Sequence, residues 1–386
     1  MLRLLHTADV HLGARYADLG DRAAAQRERQ FAAFRAAIDL ALAEPVDAFL
    51  IAGDLFDSNV QPRRSVERVA AELRRLVEAR IRAVIIPGTH DVYDRASIYR
   101  AHDLPAMAGC QPGEDFLTLL TPDRPSVRFD GLDLEVHGLV FATKRAPHSP
   151  LQGFAVGRDG GARWQVGLIH GSIAIPGKTD GDEVVITTEE VAASGLDYLA
   201  LGHWHSTQQG RAGGTSWAYP GAPEPVALDQ DRAGSVLLVH LDPGAAAPTI
   251  EERRVGRTRF EHVDVDMATV ESQPALIAAL ARRADPDLVL DARLGGVRPD
   301  ELDLVVEEVE AAVAPSFLKV RIRDRSMPAL TEGPLPSADT IAGAFIRDLE
   351  TRILQQEAAG DEAGASEFRD ALRLGRLLLA GHEVAL

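Results

Sequence analysis

Five short apolar runs in this chain each end on aspartate or histidine, and that recurrence limits the folds open to it. Residues 4–8 lead into Asp9-Val10-His11. Residues 49–52 lead into Gly53-Asp54-Leu55-Phe56-Asp57, and residues 84–87 into Gly88-Thr89-His90-Asp91. Residues 166–169 end at His170, and residues 198–201 run into Gly202-His203-Trp204-His205. Apolar runs this short, with few polar positions, read as strands buried on both faces. The first three strands span residues 2–8, 48–52 and 83–87; later ones span 134–139, 165–169, 198–201 and 235–241. Helical patterns separate the first three. One covers residues 21–43, with Phe31, Phe34, Ile38 and Leu42 at helical spacing. The next starts near Ser65 as N-cap and buries Val66, Val69, Leu73 and Leu76. Strand–helix alternation implies parallel neighbours. The carboxyl ends of parallel strands are where such sheets bind ligands. Residues from 9 to 205 therefore converge on one cleft.

Taken singly, each motif is weak. Asp-x-His is an ordinary loop pair, and Gly-Asp after a strand is common turn chemistry. His170 by itself would read as a satisfied core histidine. His203 and His205 carry more information, since alternate residues at a strand end share a side. The full set in order is the signal. Asp and imidazole together suit Mn, Fe or Zn better than Mg or Ca, and the interleaved glycines let the backbone turn sharply and come close to ions.

Composition narrows the setting. The chain has 386 residues, room for more than one domain, and a formal net charge of -17. A simple electrostatic nucleic-acid binder would be basic, but two bound cations would bring their own positive charge to where a phosphate must sit. No run approaches the ~18 apolar residues of a membrane span. The first residues lack the apolar stretch of a signal peptide. Cys110 is the only cysteine, so no intrachain disulfide can form. A soluble, cytoplasmic protein is expected.

The pattern changes around Arg253. The expected division is 1–252 as the main domain, 253–326 as a small cap, 327–336 as a linker and 337–386 as a helical tail. The cap reads β-α-β-α-β, with strands at 260–265, 288–292 and 317–323 and helices at 274–283 and 299–313. In the tail, Ile341, Phe345, Leu349 and Ile353 share one helical face, and Phe368, Leu372 and Leu379 another. Residues 142–161 and 171–181 read as loop. Lys319, Arg321 and Arg323 alternate along a strand, so they share a face, with Arg325 continuing the line. They are candidate phosphate contacts, although an ordinary solvated strand face is the preferred reading. Arg63, Arg64, Arg68, Arg74, Arg75, Arg80 and Arg82 are interleaved with Glu67, Glu72 and Glu78, as in a salt-laced helix surface. Trp204 suits either packing or a base contact.

The order Asp-x-His, Gly-Asp-x-x-Asp, Gly-Asn-His-Asp, His, Gly-His-x-His resembles that of the calcineurin-like metallophosphoesterases over about residues 1–240. The early Asp9-x-His11, the block from Asp197 to His205 and Tyr219-Pro220-Gly221-Ala222-Pro223-Glu224 look most like SbcD-type DNA-repair exonucleases, including their YhaO-like branch. The resemblance implies an α/β fold, a two-sheet sandwich flanked by helices, with a small α+β capping domain and a C-terminal helical tail. It implies a metal-dependent DNA nuclease with two divalent ions, Mn preferred and Fe or Zn as alternatives. Asp9, His11 and His205 would hold the first ion, His170 and His203 the second, and Asp54 would bridge them. His90 would protonate the leaving oxygen or stabilise the phosphate. Asp57 and Asp91 would orient ligands. The family pattern has Asn where this chain has Thr89, whose shorter hydroxyl implies a weaker second site. DNA, an SbcC-type coiled-coil ATPase docked on the tail and a second copy of the chain are the implied partners. A phosphodiesterase for small substrates such as cyclic nucleotides, and a weakly catalytic scaffold protein, are the rival readings.

Overall fold

The structure, a computed structural model, describes residues 1–16, 22–157, 161–179, 181–227, 230–299, 302–328 and 336–379. It divides into two compact units, Met1–Thr258 and Arg259–Leu386.

The first unit opens with β1 (Leu2–Thr7), α1 (Ala23–Ala43), β2 (Ala48–Ala52), α2 (Arg63–Glu78) and β3 (Arg82–Ile86). Then come α3 (Ile98–Ala101), α4 (Leu104–Met107), β4 (Leu117–Leu119), β5 (Ser126–Phe129), β6 (Leu134–Gly138), β7 (Trp164–His170), β8 (Ser172–Ile173) and β9 (Val185–Ile186). It closes with α5 (Thr188–Ala193), β10 (Tyr198–Gly202), β11 (Gln208–Ala212), β12 (Thr215–Tyr219), β13 (Ser235–Leu241) and β14 (Thr249–Arg254). Two six-stranded sheets result, in the orders β14-β13-β1-β2-β3-β4 and β11-β12-β10-β7-β6-β5.

The alternation of strand side chains explains the layering. Leu5, Phe49, Ile51 and Ile85 face Phe34 and Ile38 of α1 and Leu73 and Leu76 of α2. Their neighbours Leu4, Leu50 and Val84 face Val166, Leu168 and Ala200 of the other sheet. The outer face of that second sheet carries Ile169, Leu199 and Leu201, covered by Ile173, Ile186 and Val191. Burying each such side chain contributes about 1.5–3 kcal/mol, so the register is held from both sides. The pairs β1/β2, β2/β3 and β7/β10 are parallel, with Thr7 opposite Ile51 and Gly202 opposite His170. All five expected strand ends thus lie at the carboxyl edges of two facing sheets.

Several details differ from expectation. Helix α2 begins at Arg63, and Pro62 rather than Ser65 occupies its N-cap. Pro62 has an extended ψ of 137°, and its carbonyl accepts the Ser65 N–H at 2.8 Å. A proline pre-set at φ near −65° starts the helix earlier than a serine cap would. For α1, Asp21 lies outside the described residues. The segment 171–181 is not all loop, because β8 pairs in parallel with β9. The arginines of α2 do form a charged surface: Arg63 pairs with Glu67, Arg68 with Glu28, and Arg75 with both Glu72 and Asp39. The block 219–224 ends in Glu224, which is fully buried. It accepts the Arg257 N–H at 2.8 Å and the Thr258 N–H at 3.3 Å, and bonds the Thr258 hydroxyl.

In the second unit, β15 (Arg259–Asp266), β16 (Asp285–Gly295) and β18 (Phe317–Asp324) form a parallel sheet in that order, and β17 (Val297–Arg298) pairs with β19 (Met327–Pro328). Helices α6 (Gln273–Ala281) and α7 (Val306–Val313) cover one face through Leu276, Leu280, Val309 and Val313. Helix α7 starts at Val306, later than the expected 299; residues 300 and 301 lie outside the described residues. So do residues 329–335 of the expected linker and 380–386 of the tail. Helices α8 (Ile341–Ala359) and α9 (Glu362–Leu379) pack as a hairpin, turned at Gly360 with φ 74°. The stripe expected on α8 is only partly used. Leu349 is buried, but Ile341 is 87% exposed and Ile346 takes the inner position.

Candidate metal centre

Each donor is set by the element that carries it. Asp9 and His11 follow β1, Asp54 follows β2, Thr89 to Asp91 follow β3, His170 ends β7, and His203 and His205 follow β10. Four of these residues have left-handed backbones: Asp9 (φ 53°), His11 (φ 49°), Asp54 (φ 52°) and His203 (φ 101°). Non-glycine residues avoid that region, at about 1–3 kcal/mol each, and persist there where function and packing over-determine them. Gly53 has φ +88°, and a Cβ added there would lie 2.4 Å from the His170 ring. One on Gly88 would lie 2.2 Å from Asp54 Oδ1. The glycines leave the room into which the donors fold.

The structure brings Asp9, His11 and His205 into one compact group, Asp9, Asp54 and His170 into a second, and His11, Asp57 and His90 into a third. His11 Nε2 lies 3.1 Å from His205 Nε2 and 3.7 Å from Asp54 Oδ2. His170 Nε2 lies 3.1 Å from Asp54 Oδ2. His205 Nε2 lies 3.9 Å from Asp9 Oδ1. Two donors each about 2.1 Å from a shared ion stand roughly 3.0–4.2 Å apart, depending on the angle between them. All four separations fall in that window. His170 Nε2 is buried and makes no aligned hydrogen bond. The donor set fits divalent cations.

Surrounding groups fix the orientation of the donors. His170 Nδ1–H donates to the Ala52 carbonyl at 2.9 Å, which turns the Nε2 lone pair inward. The Asp9 carboxylate accepts the His203 N–H at 2.9 and 3.1 Å. Asp54 Oδ1 accepts the His90 N–H at 2.8 Å, leaving Oδ2 for the centre. Asp91 is fully buried and braces two loops: it accepts Gly88 N–H at 2.7 Å, Phe56 N–H at 3.1 Å and the Tyr99 hydroxyl at 2.5 Å. Asp57 Oδ1 lies 3.4 Å from His11 Nδ1, and its carbonyl accepts His90 Nδ1–H at 2.9 Å. The His90 side chain is 44% exposed, so its free Nε2 is at the mouth.

Burial and charge oppose each other here. Burial pushes the Asp9 carboxyl up to about 6. Burial would lower His170, but the charges of Asp54 and Asp9 outweigh it and raise the ring to about 10. Burial would raise Asp54, yet the positive His170 beside it holds that carboxylate well below the usual range. Burial, followed by the charge of His170, lowers His203 to about 4. Burial, followed by that of His11, lowers His205 to about 3. A centre with this many buried carboxylates calls for positive charge, which bound cations would supply.

His203 joins none of the compact groups among the described residues. Its Nε2 faces Asp182 Oδ2 at 3.9 Å. Sequence reasoning missed Asp182, and also Gln230 and Tyr99, since each sits in a segment without a motif. Gln230 Oε1 accepts the Val226 and Ala227 N–H groups at 3.0 and 3.2 Å, and the Gln230 amide meets His205 Nδ1 at 2.6 Å. Trp204 packs 6.0 Å from Tyr219, ring to ring, with Lys178 Nζ 4.3 Å from its centroid. Lys319, Arg321 and Arg323 pair in register with Val289, Asp291 and Arg293. Arg323 is held by Asp291 at 3.2 Å, and Arg321 is exposed.

A family model described as calcineurin-like phosphoesterase matches residues 2–207. The DNA double-strand break repair protein Mre11 of Aeropyrum pernix is 30% identical over 285 residues, which are 69% of this chain; the chain spans 64% of that protein's length. The uncharacterized metallophosphoesterase YhaO of Bacillus subtilis is 23% identical over 94% of this chain and 90% of its own. A component of the SbcCD nuclease of Rhodobacter capsulatus is 27% identical over 74% of this chain and 77% of its own.

Proposed function

This chain belongs to the calcineurin-like phosphoesterase family, and from that premise we propose that it hydrolyses phosphodiester bonds of DNA as the nuclease of a repair complex. It is a metallophosphoesterase, and its family binds divalent cations. The observation that carries the reading is the convergence of Asp9, His11, Asp54, His170 and His205 at ion-sharing distances, the first three on left-handed backbones. The repair assignment rests on two relatives, a double-strand break repair protein and a component of the SbcCD nuclease.

Asp9, His11 and His205 would hold one ion, His170 and His203 the other, with Asp54 between. Two divalent ions, Mn foremost, would neutralise the phosphate oxygens and activate water for in-line attack. The chain's own groups do the rest. His90 is oriented by the Asp57 carbonyl through Nδ1, which leaves Nε2 to protonate the leaving oxygen or to stabilise the phosphate in the transition state. Asp57 and Asp91 keep His11 and the loop of His90 in place. Lys319, Arg321 and Arg323 are candidate backbone contacts for DNA. The domains are read as 1–252, 253–326 as a cap, 327–336 as a linker and 337–386 as a tail that docks an SbcC-type ATPase, with a second copy of the chain as a further partner. No helix among the described residues is long and apolar enough to cross a membrane; a cytoplasmic site of action is part of the proposal.

The test is Mn-dependent cleavage of end-labelled linear DNA, run beside a cyclic nucleotide, for wild type and His90→Asn. Cleavage of DNA that falls by about 100-fold or more in the variant, with Mn binding intact, is expected. Turnover of the cyclic nucleotide alone would move the assignment to small substrates. Equal DNA cleavage by both proteins would remove the role given to His90.

A further inference from the structure

The second-ion side of the centre carries a threonine hydroxyl at position 89 where the family pattern has an amide, and the structure places a carboxylate beside His203. Thr89 is buried, but its hydroxyl reaches less far than the amide that the family pattern carries there. His203 joins no compact group, but its ring stands 5.3 Å from that of His170 and its Nε2 3.9 Å from Asp182 Oδ2. That distance is too long for a hydrogen bond. It falls inside the roughly 3.0–4.2 Å window of two donors sharing one ion.

We propose that Asp182 is a further ligand of the cation that His170 and His203 would hold, offered from the loop after β8 beside His203; the inference rests on the two-ion reading above. Asp182 is aimed by a short relay. Trp204 Nε1–H donates to Ser172 Oγ at 2.8 Å, and the Ser172 hydroxyl donates to Asp182 Oδ2, the same oxygen that faces His203. A carboxylate oxygen has lone pairs for both a hydrogen bond and an ion. Ser172 stands two residues beyond His170, and Trp204 directly follows His203. The segments that carry the two histidines therefore also orient the carboxylate, the arrangement by which outer groups steer metal ligands. The loop is pinned by the Ser172 N–H bond to Val184 O at 2.8 Å and by the Asp182 N–H bond to Thr179 O at 3.0 Å. Asp182, His203 and His205 line one open cavity of about 440 Å³, so an ion could enter. An anionic oxygen in place of a neutral amide carbonyl suits a hard divalent cation such as Mn.

Glu183 is the natural control. It is the adjacent carboxylate, carries the same charge and is engaged by Lys144 at 3.5 Å. Calorimetric titration of the metal-free full chain with Mn²⁺ should show two ions bound by wild type. Asp182→Asn should weaken the weaker of the two by about tenfold or more and leave the tighter one within about twofold. Glu183→Gln should leave both within about twofold. Adding Thr89→Asn to Asp182→Asn should recover most of the lost affinity. Two ions bound equally tightly by wild type and Asp182→Asn would overturn the ligand assignment alone, as would a loss of the same size in Glu183→Gln, which would point to charge and not coordination. A wild-type protein that takes up no Mn²⁺ would remove the two-ion reading itself, and this inference with it.

Discussion

The two halves of the centre are built to different tolerances. On one side, Asp9, His11 and His205 form a compact group whose members are each tied to something rigid: Asp9 to the His203 N–H, His205 to Gln230, and His11 beside Asp57. On the other, Asp54 and His170 are close, but His203 stands apart and position 89 offers only a threonine. The reason lies in what carries each donor. Asp9 and His11 leave β1 within a backbone locked to the Gly53–Leu55 turn by three hydrogen bonds of 2.9–3.2 Å. His203 leaves β10 on a single residue at φ 101°, with an adjacent open cavity. Half a site can thus be preset by strand geometry while the other half waits on loops.

Removing Asp54, whose Oδ2 lies 3.7 Å from His11 Nε2 and 3.1 Å from His170 Nε2, should have the largest effect. Asp54→Asn is expected to weaken binding of both ions and to lose several kcal/mol of charge stabilisation, roughly 1,000-fold in hydrolysis rate. Retention of two tight Mn²⁺ ions in a calorimetric titration would mean that the halves do not share Asp54.

A second contrast is between histidines. His6 stands on β1, three residues before Asp9, fully buried and bonded to the Tyr198 hydroxyl at 2.8 Å. Burial lowers it to about 3, although the hydrogen bond with the Leu201 backbone raises it. His170 is raised to about 10. With its folded value below the unfolded one of about 6.5, His6 gives full stability above that pH and loses it as pH falls toward 3. By pH 5 the loss is about 2 kcal/mol. Denaturant unfolding of the metal-free protein at pH 7 and pH 5 checks this; His203 and His205, also lowered by burial, act over the same window, so His6→Asn should shrink the difference by about 2 kcal/mol and not abolish it. An unchanged slope in that variant would place the acid sensitivity elsewhere.

Gly53→Ala probes the space between the halves. A Cβ at 2.4 Å from the His170 ring, on a backbone at φ +88°, should lower stability by about 1–3 kcal/mol and weaken Mn²⁺ binding beside His170 more than beside Asp9. Uniform weakening would show that the halves relax together. Thr89→Asn with Asp182 intact should give the smallest change, a gain of tenfold or less at the weaker ion, on the order of what outer groups contribute.

Much of this architecture is written in the chain, and the reason is physical. Strands buried on both faces leave few polar positions, so an Asp or His at their ends stands out; the five strand ends are legible for that reason. The sandwich follows from alternation, since Leu4 and Leu5, or Leu50 and Ile51, must face opposite layers. Legibility stops where tertiary contacts decide. Asp182, Ser172 and Gln230 lie in segments without periodicity, and only the folded chain brings them to the histidines. The start of α2 at Arg63, directly after Pro62, defeats a serine-cap reading because the proline fixes φ near the helical value three residues before Ser65. On α8, the apolar stripe led by Ile341 and Phe345 is visible, but which of its residues are buried depends on α9 docking, where a Cβ on Gly375 would meet the Phe345 ring at 2.2 Å. The left-handed backbones of Asp9, His11 and Asp54 leave no mark in the sequence beyond the neighbouring glycines.

Anomalous diffraction from a crystal of the full chain soaked in Mn²⁺ addresses the centre most directly. Two peaks are expected, one among Asp9, His11 and His205 and one among His170, His203 and Asp182, with Asp54 reaching both. A soaked crystal with no peak among these side chains, or with manganese bound only elsewhere, would contradict the claim that they form a dinuclear site.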